Sequence, residues 1–344
     1  MLDNAGPFFE RSNQIKPQIN LALPTSTRFW LINICAILVI LQSSLYDTFS
    51  SFFVALGSVT AAILTEFIIS YGKNWKILFD GSTLATALIL SLFLPNLISP
   101  LYAAAGAAFA IAVIKYSFGG LGSNWLNPAA GAWLFIRFSW PDAFNRALEG
   151  SSLYEMNFNV SGVGENLRSF LNNTIFSITG TELPQGYLDL FFSRSPGIIA
   201  DRGIFALLVG SIIIISFRVV NRSWIPAAYI AFFSILVRYA GALSNGEELW
   251  NGDILFALCS GGTLATAFFL VSDPVTGSKS GRGILLTALS AAGLAFLFRY
   301  LGDEPYGAII ALLCINAFQP IIRFIESQKL YKGSPIEHSS RENV

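Results

Sequence analysis

Between residues 29 and 325 the sequence returns ten times to apolar runs, at 29–46, 52–71, 82–99, 101–118, 127–144, 203–220, 223–241, 252–271, 283–300 and 305–325. Each is close to the twenty or so residues that a helix needs to cross the hydrocarbon core of a bilayer. Inside lipid no backbone N–H or C=O can stay unpaired, so runs of this length have to be helical. The charge content agrees: Asp, Glu, Lys and Arg make up 12% of the 344 residues, against about 25% in soluble domains. A surface with so few charges is a surface for lipid. The predicted fold class is an all-α membrane protein of about ten transmembrane helices.

The same inventory excludes several functions. A formal net charge of zero gives no electrostatic footprint for nucleic acid. Cys35, Cys259 and Cys314 lie singly in apolar stretches, and the one histidine, His338, is in a polar tail. No metal site is expected, because haem and iron–sulfur centres need clustered soft ligands. The first 28 residues are polar and a run of full transmembrane length follows, which argues against a cleavable signal.

Lysine and arginine near the run ends set the orientation. Arg11, Lys16, Arg28, Lys73, Lys76, Lys115, Arg218, Arg222, Lys279, Arg282, Lys329, Lys332 and Arg341 fall on one set of connections. The opposite set carries Asp47, Glu247, Glu248, Asp253, Asp303 and Glu304, with Arg238 and Arg299 as basic exceptions. Both termini are therefore expected in the cytoplasm. The expected organisation is an N-terminal cytoplasmic tail (1–28), five helices (29–144), an extracytoplasmic loop (145–202), five more helices (203–325) and a C-terminal cytoplasmic tail (326–344).

One phrase occurs twice: GSTLATA at 81–87 and GGTLATA at 261–267. With five helices on each side of the long loop, two related halves must enter the membrane in opposite directions. An inverted repeat is the expected architecture, and such repeats place binding sites at interrupted helices near mid-membrane. Thr83, Thr86, Thr263 and Thr266 carry hydroxyls on one helical face. Small residues and threonine also serve plain helix packing, and both readings stand.

Three further segments bear on function. KYSFGGLGSNWLNPAAG at 115–131 delivers a helix start at Asn127-Pro128. Asp80 and Asp273 flank the two phrase-bearing runs and suit either local capping or contact with a cation. Glu66 lies inside VTAAILTEFIISY. A carboxylate there must be paired, protonated or ion-bound. Glu66, Asp80 and Asp273 are the candidates for ion handling.

DGSTLATALILSLFLP (80–95), FGGLGSNWLNPAAG (118–131) and GGTLATAFFLVSDPVT (261–276) resemble the signature segments of the NqrB/RnfD family. GYLDLFFSRSPGIIADRGIFALLVG (186–210) and YGAIIALLCINAFQPII (306–322) extend the resemblance over nearly the whole chain. It implies a membrane subunit of an Rnf-type or sodium-pumping NADH:quinone reductase complex in a bacterial-type cell membrane. Such a subunit relays electrons coupled to Na+ or H+ movement, works with the other subunits of the complex, and is not catalytic alone.

The resemblance also implies a flavin: FMN esterified to a threonine in an SGAT-like motif of the outer loop, or riboflavin among the helices. Here Ser161-Gly162-Val163-Gly164 stands in place of SGAT, and Gly164 has no hydroxyl to esterify. Thr181, or Thr174, would be a displaced acceptor. The other expectation is a noncovalent flavin between the halves, lined by Thr83, Thr86, Asn124, Asn127, Thr263 and Thr266. A non-redox transporter on the same frame, and a structural anchor for flavoprotein partners, are the competing functions.

Overall fold

In the computed structural model the described residues are 23–46, 49–71, 79–124, 126–149, 169–170, 172–173, 197–217, 219, 224–245, 248–273 and 281–332. Among them every regular element is a helix, and the one β-type contact is an isolated bridge between Pro95 and Ile198. Gly164, Thr174 and Thr181 lie outside the described residues, as does most of the 145–202 segment.

Before that segment come α1 (Thr25–Tyr46), α2 (Ser50–Ser70), α3 (Ser82–Leu92), α4 (Pro100–Phe109), α5 (Pro128–Ser139) and α6 (Pro141–Glu149). That segment closes with α7 (Ile199–Arg202), and after it come α8 (Ile204–Ser216), α9 (Trp224–Ala240), α10 (Ile254–Cys259), α11 (Thr263–Ala265), α12 (Gly281–Tyr300) and α13 (Gly307–Lys332). Two π-helical segments extend this set: Ala110–Lys115 continues α4, and Thr266–Val271 continues α11. Four helices are long and apolar enough to cross a membrane, at Thr25–Leu45, Ser50–Ser70, Trp224–Leu243 and Gly281–Tyr300. Shorter apolar helices accompany them at Ser82–Leu92, Pro100–Lys115, Ile204–Ser216 and Gly307–Ile322. The protein is a helical, multi-pass membrane protein.

Three runs depart from the uniform spans expected of them. The run at 82–99 is helical only to Leu92, 11 residues or about 16 Å of rise, half the hydrocarbon core. Beyond it the chain turns at Pro95, and Leu94 O accepts from Ile199 N at 3.0 Å. The run at 127–144 divides at Trp140, because Pro141 has no N–H with which to continue α5. The run at 252–271 breaks at Ser260-Gly261-Gly262.

The breaks coincide with the repeated phrase. Gly81 precedes α3 at φ 78° and Gly262 precedes α11 at φ 67°, so each copy starts a helix from a left-handed glycine. Ile198 and Phe93 pack against Gly262 at the second start, within a core that also buries Leu90, Leu92, Leu94 and Ile199. Element pairing runs in parallel on the two sides of the chain: α2 packs on α4 as α9 packs on α12, and α4 packs on α5 as α12 packs on α13. Helix α1 packs on α8 across the two sides.

The α1–α8 crossing depends on a small residue. Cys35 Sγ donates to Gly210 O at 3.4 Å, and a Cβ added to Gly210 would meet Cys35 Cβ at 3.0 Å. Gln42 of α1 accepts from Ala206 N at 2.6 Å and satisfies the first turn of α8. Gly210→Leu forces the two backbones apart and is expected to destabilise the chain by about 1–3 kcal/mol, the usual cost of overpacking. Its thermal midpoint in detergent should fall clearly, and that of Gly210→Ala only slightly.

Candidate functional site

The first phrase copy is built around a buried ammonium. Lys115 closes the π-helical segment after α4, where Tyr116 N bonds Ile111 O and Gly120 N bonds Lys115 O, both at 3.0 Å and both five residues apart. One extra residue in a turn rotates everything beyond it by about 100°, and Lys115 points inward, 2% exposed. From the sequence it counted among the interfacial basic residues. That expectation is corrected: its Nζ donates to Glu66 Oε1 at 2.9 Å, Ser82 Oγ at 2.8 Å and Thr83 Oγ1 at 2.5 Å. All three ammonium donors are used.

Glu66 is the counter-charge, itself 1% exposed. It also accepts from Tyr116 Oη at 2.9 Å, and Ser70 Oγ lies 3.2 Å from the same phenol. Asp80 caps α3 by accepting from Ser82 N at 2.7 Å. Asn33 of α1 donates to Gly81 O at 3.1 Å and holds the glycine from the other side.

The second copy repeats the plan with different chemistry. Arg299, at the end of α12, donates to Ser260 O at 3.0 Å, Ala257 O at 2.7 Å, Thr263 Oγ1 at 3.1 Å and Ser260 Oγ at 2.6 Å. Asp201 of α7 accepts from Gly261 N and Gly262 N, each at 2.9 Å. In both copies an aspartate satisfies the N–H groups at the helix start. In both, the phrase's first threonine receives a bond from a cation at the C-terminal end of the next helix.

Between the copies lies an open cleft whose empty space, counted with the solvent at its mouth, is about 690 Å³. Phe29 and Ile32 of α1, Ile214 of α8, and Phe268 and Phe269 form apolar walls. Ser82 and Thr86 of α3, Lys115, Asn124, Asn127 and Asp273 give it a polar side. Elements from both sides of the 145–202 segment therefore line one space.

The candidates from sequence fall into three groups. Thr86, Asn124, Asn127 and Asp273 line the cleft, and Thr83 sits behind it under Lys115. Thr263 and Thr266 do not line it: Thr263 is held by Arg299, and Thr266 Oγ1 is buried without a hydrogen-bond partner. Glu66 and Asp80 lie beside the cleft, in the ion pair and the α3 cap.

Several of these groups already have protein partners. Asn127 caps α5 by accepting from Ala129 N and Ala130 N at 3.0 and 3.2 Å, and its amide donates to Asp273 Oδ2 at 3.1 Å. With its amide nitrogen facing the two carbonyls, Asn124 bonds Lys115 O at 3.1 Å and Gly120 O at 3.2 Å, bracing the wide turn. Thr86 Oγ1 donates to Ser82 O within α3. At the other end of α5, Arg137 pairs with Glu304 at 3.0 Å. Lys115, Asp201, Tyr116 and the anchoring role of Arg299 are the residues that sequence reasoning missed. A basic residue 32 residues after Thr83 in one copy and 36 after Thr263 in the other was the signal available.

The cleft suits a flat, largely apolar ring with polar edges. Phe29, Phe268 and Phe269 offer aromatic faces in the lining, and amide and hydroxyl groups share it.

Comparison with known proteins places the chain in a family. The family model of NQR2, RnfD and RnfE matches residues 12–332. A subunit of the proton-translocating ferredoxin:NAD(+) oxidoreductase complex of Clostridium ljungdahlii is 31% identical over 272 residues, covering 78% of this chain and 80% of the relative. A subunit of the ion-translocating oxidoreductase complex of Shewanella frigidimarina is 26% identical over 344 residues, covering 92% and 96%. The corresponding protein of Stutzerimonas stutzeri, which carries the same description, is 28% identical over 289 residues, covering 77% and 80%. On the family match and these relatives, the chain belongs to the NQR2, RnfD, RnfE family.

Proposed function

We propose that this chain is the membrane subunit of an Rnf-type ion-translocating electron-transport complex, working with the other subunits of that complex. Its electron carrier is a flavin, FMN or riboflavin, held without a covalent bond in the cleft between the two phrase-bearing helices. The observation that carries the reading is the cleft itself, lined from both sides of the chain by Phe268 and Phe269 together with Thr86, Asn124 and Asn127. Membership of the family and the names of its relatives support the complex. The absence of a hydroxyl at Gly164 favours noncovalent binding over esterification in the outer loop.

The architecture proposed is an inverted repeat of ten helical passes, five on each side of the 145–202 segment, with both termini in the cytoplasm. Parallel helix pairing and the matched aspartate–threonine–cation arrangement at the two copies support the repeat. The run of lysine and arginine on alternate connections supports the orientation.

When bound, an isoalloxazine ring supplies one-electron relay, and the protein sets its position and surroundings. Phe268 and Phe269 would stack against the ring while Asn124 and Thr86 fix its edge. The apolar walls would keep water away from it. Glu66 and Asp273 supply carboxylates beside the cleft for the translocated Na+ or H+.

Isolation of the complex through a tag on this chain tests the reading. Iron–sulfur and flavoprotein subunits should co-purify, and yellow flavin should leave this chain on denaturation. Deleting the chain should abolish donor-driven ion uptake by membrane vesicles. A chain that purifies alone and colourless, and whose deletion leaves ion uptake intact, contradicts it.

A further inference from the structure

Lys115 belongs to two places at once. It is one of the residues lining the cleft, and its ammonium is bonded to Glu66. All three of its acceptors, Glu66, Ser82 and Thr83, are side-chain oxygens able to rotate away. The matching groups at the second copy have no such freedom. Arg299 donates to the backbone carbonyls of Ala257 and Ser260, and Asp201 is bound by two backbone N–H groups. Arginine also cannot release its proton, whereas a buried lysine–glutamate pair can change its charge state. One copy is thus an anchor, and the other is built from movable parts.

Glu66 can lose Lys115 without losing every partner. Tyr116 still donates to it, with Ser70 behind the phenol. Among the described residues, the charged and titratable groups facing Glu66 are Lys115 and Tyr116 beyond α4, and Asp80 ahead of α3, which lies in electrostatic reach of Tyr116. With Lys115 withdrawn, nothing positive among these remains, and a carboxylate so placed must take up a cation.

We propose that Lys115 is shared between Glu66 and the cleft, so that a negative charge arriving in the cleft draws the ammonium away and Glu66 takes up one monovalent cation, a proton or Na+. This rests on the cleft being the carrier site. The electron comes from a one-electron donor such as a reduced iron–sulfur protein. The ammonium's bonds to Glu66, Ser82 and Thr83 break, and a bond to the negative group in the cleft forms. One negative charge enters and one positive charge binds, leaving the net charge of the region unchanged. Discharge of the electron returns Lys115 to Glu66 and expels the cation.

The test uses the full chain in lipid nanodiscs with riboflavin as the probe. Fluorescence titration measures binding, and spectroelectrochemical titration measures the one-electron potential against pH at fixed Na+ and against Na+ at fixed pH. Uptake of one cation per electron moves the potential by about 59 mV for each tenfold change in that cation. The slope is expected in the wild type, against pH for a proton or against Na+ for sodium. It should vanish in Glu66→Gln, which leaves every residue lining the cleft in place, and in Glu66→Gln/Lys115→Met, which carries neither buried charge and whose riboflavin binding is measured in the same titration. Either variant with the wild-type slope overturns the inference, since the slope then belongs to the ring itself. Failure of riboflavin to bind the wild type removes the cleft reading, and this one with it.

Discussion

Lys115→Met alone is expected to destabilise the protein by about 3–5 kcal/mol, the cost of leaving a buried charge without its partner. Three acceptors depend on this residue. Among the described residues Glu66, 1% exposed, would keep only Tyr116 as a donor, and the hydroxyls of Ser82 and Thr83 would lose the ammonium they accept from. Glu66→Ala should be comparably damaging, because it strands the lysine. Glu66→Gln/Lys115→Met should recover most of the loss, since replacing a buried pair by neutral groups of similar size is often close to neutral. Thermal unfolding of the full chain in detergent checks the order: wild type and double variant together, both single variants well below. Single variants as stable as the wild type would mean that the pair carries no buried charge.

Arg299→Met is the second large effect. The guanidinium closes the break at Ser260-Gly261-Gly262 by bonding two carbonyls and two hydroxyls, with Ser260 Oγ at 2.6 Å. Hydrogen bonds to a charged group contribute about 1.5–3 kcal/mol each, and orphaned buried acceptors add a penalty. Little folded protein is expected from Arg299→Met. Arg299→Lys should give a partial loss, because a point ammonium cannot reproduce a planar fork reaching four acceptors. Asp201→Asn is milder, about 1–3 kcal/mol, since one amide oxygen must then serve Gly261 N and Gly262 N. Yield and melting midpoint in detergent measure all three. Unchanged stability in Arg299→Met would show that the broken helix holds itself without the arginine.

Much of this frame is written into the sequence in simple terms. Apolar runs located the helices, and the doubled phrase marked the start of α3, but the helix start at Gly262 lay hidden inside one continuous apolar run. Glu66 was legible as a carboxylate that had to be compensated, because burial makes that obligatory whatever the partner. The partner itself was not legible. An apolar run ending in Lys115 looks like a helix reaching the headgroups, and only the widened turn at 110–115 rotates the side chain inward. Asp201 escaped notice for a related reason: it closes a polar segment, and the N–H groups it serves are 60 and 61 residues away. Helix lengths were misjudged where hydropathy hides backbone geometry. Phe93 and Leu94 are as apolar as the helix before them, yet they belong to a buried turn set by Pro95 and its contact with Ile198. Thr86, Asn124 and Asn127, expected together from the sequence, line one space with Asp273, whereas the threonines of the second copy do not line it.

Function and coupling both turn on a single location, the cleft that α3 and the helix beyond Gly262 share. A density map of the purified complex, fine enough to separate side chains, shows directly what occupies it. A flat ring is expected there, against Phe268 and Phe269 on one side and within bonding distance of Thr86 or Asn124 on the other. Lipid filling the cleft, with the electron carrier of this chain found elsewhere, would contradict both.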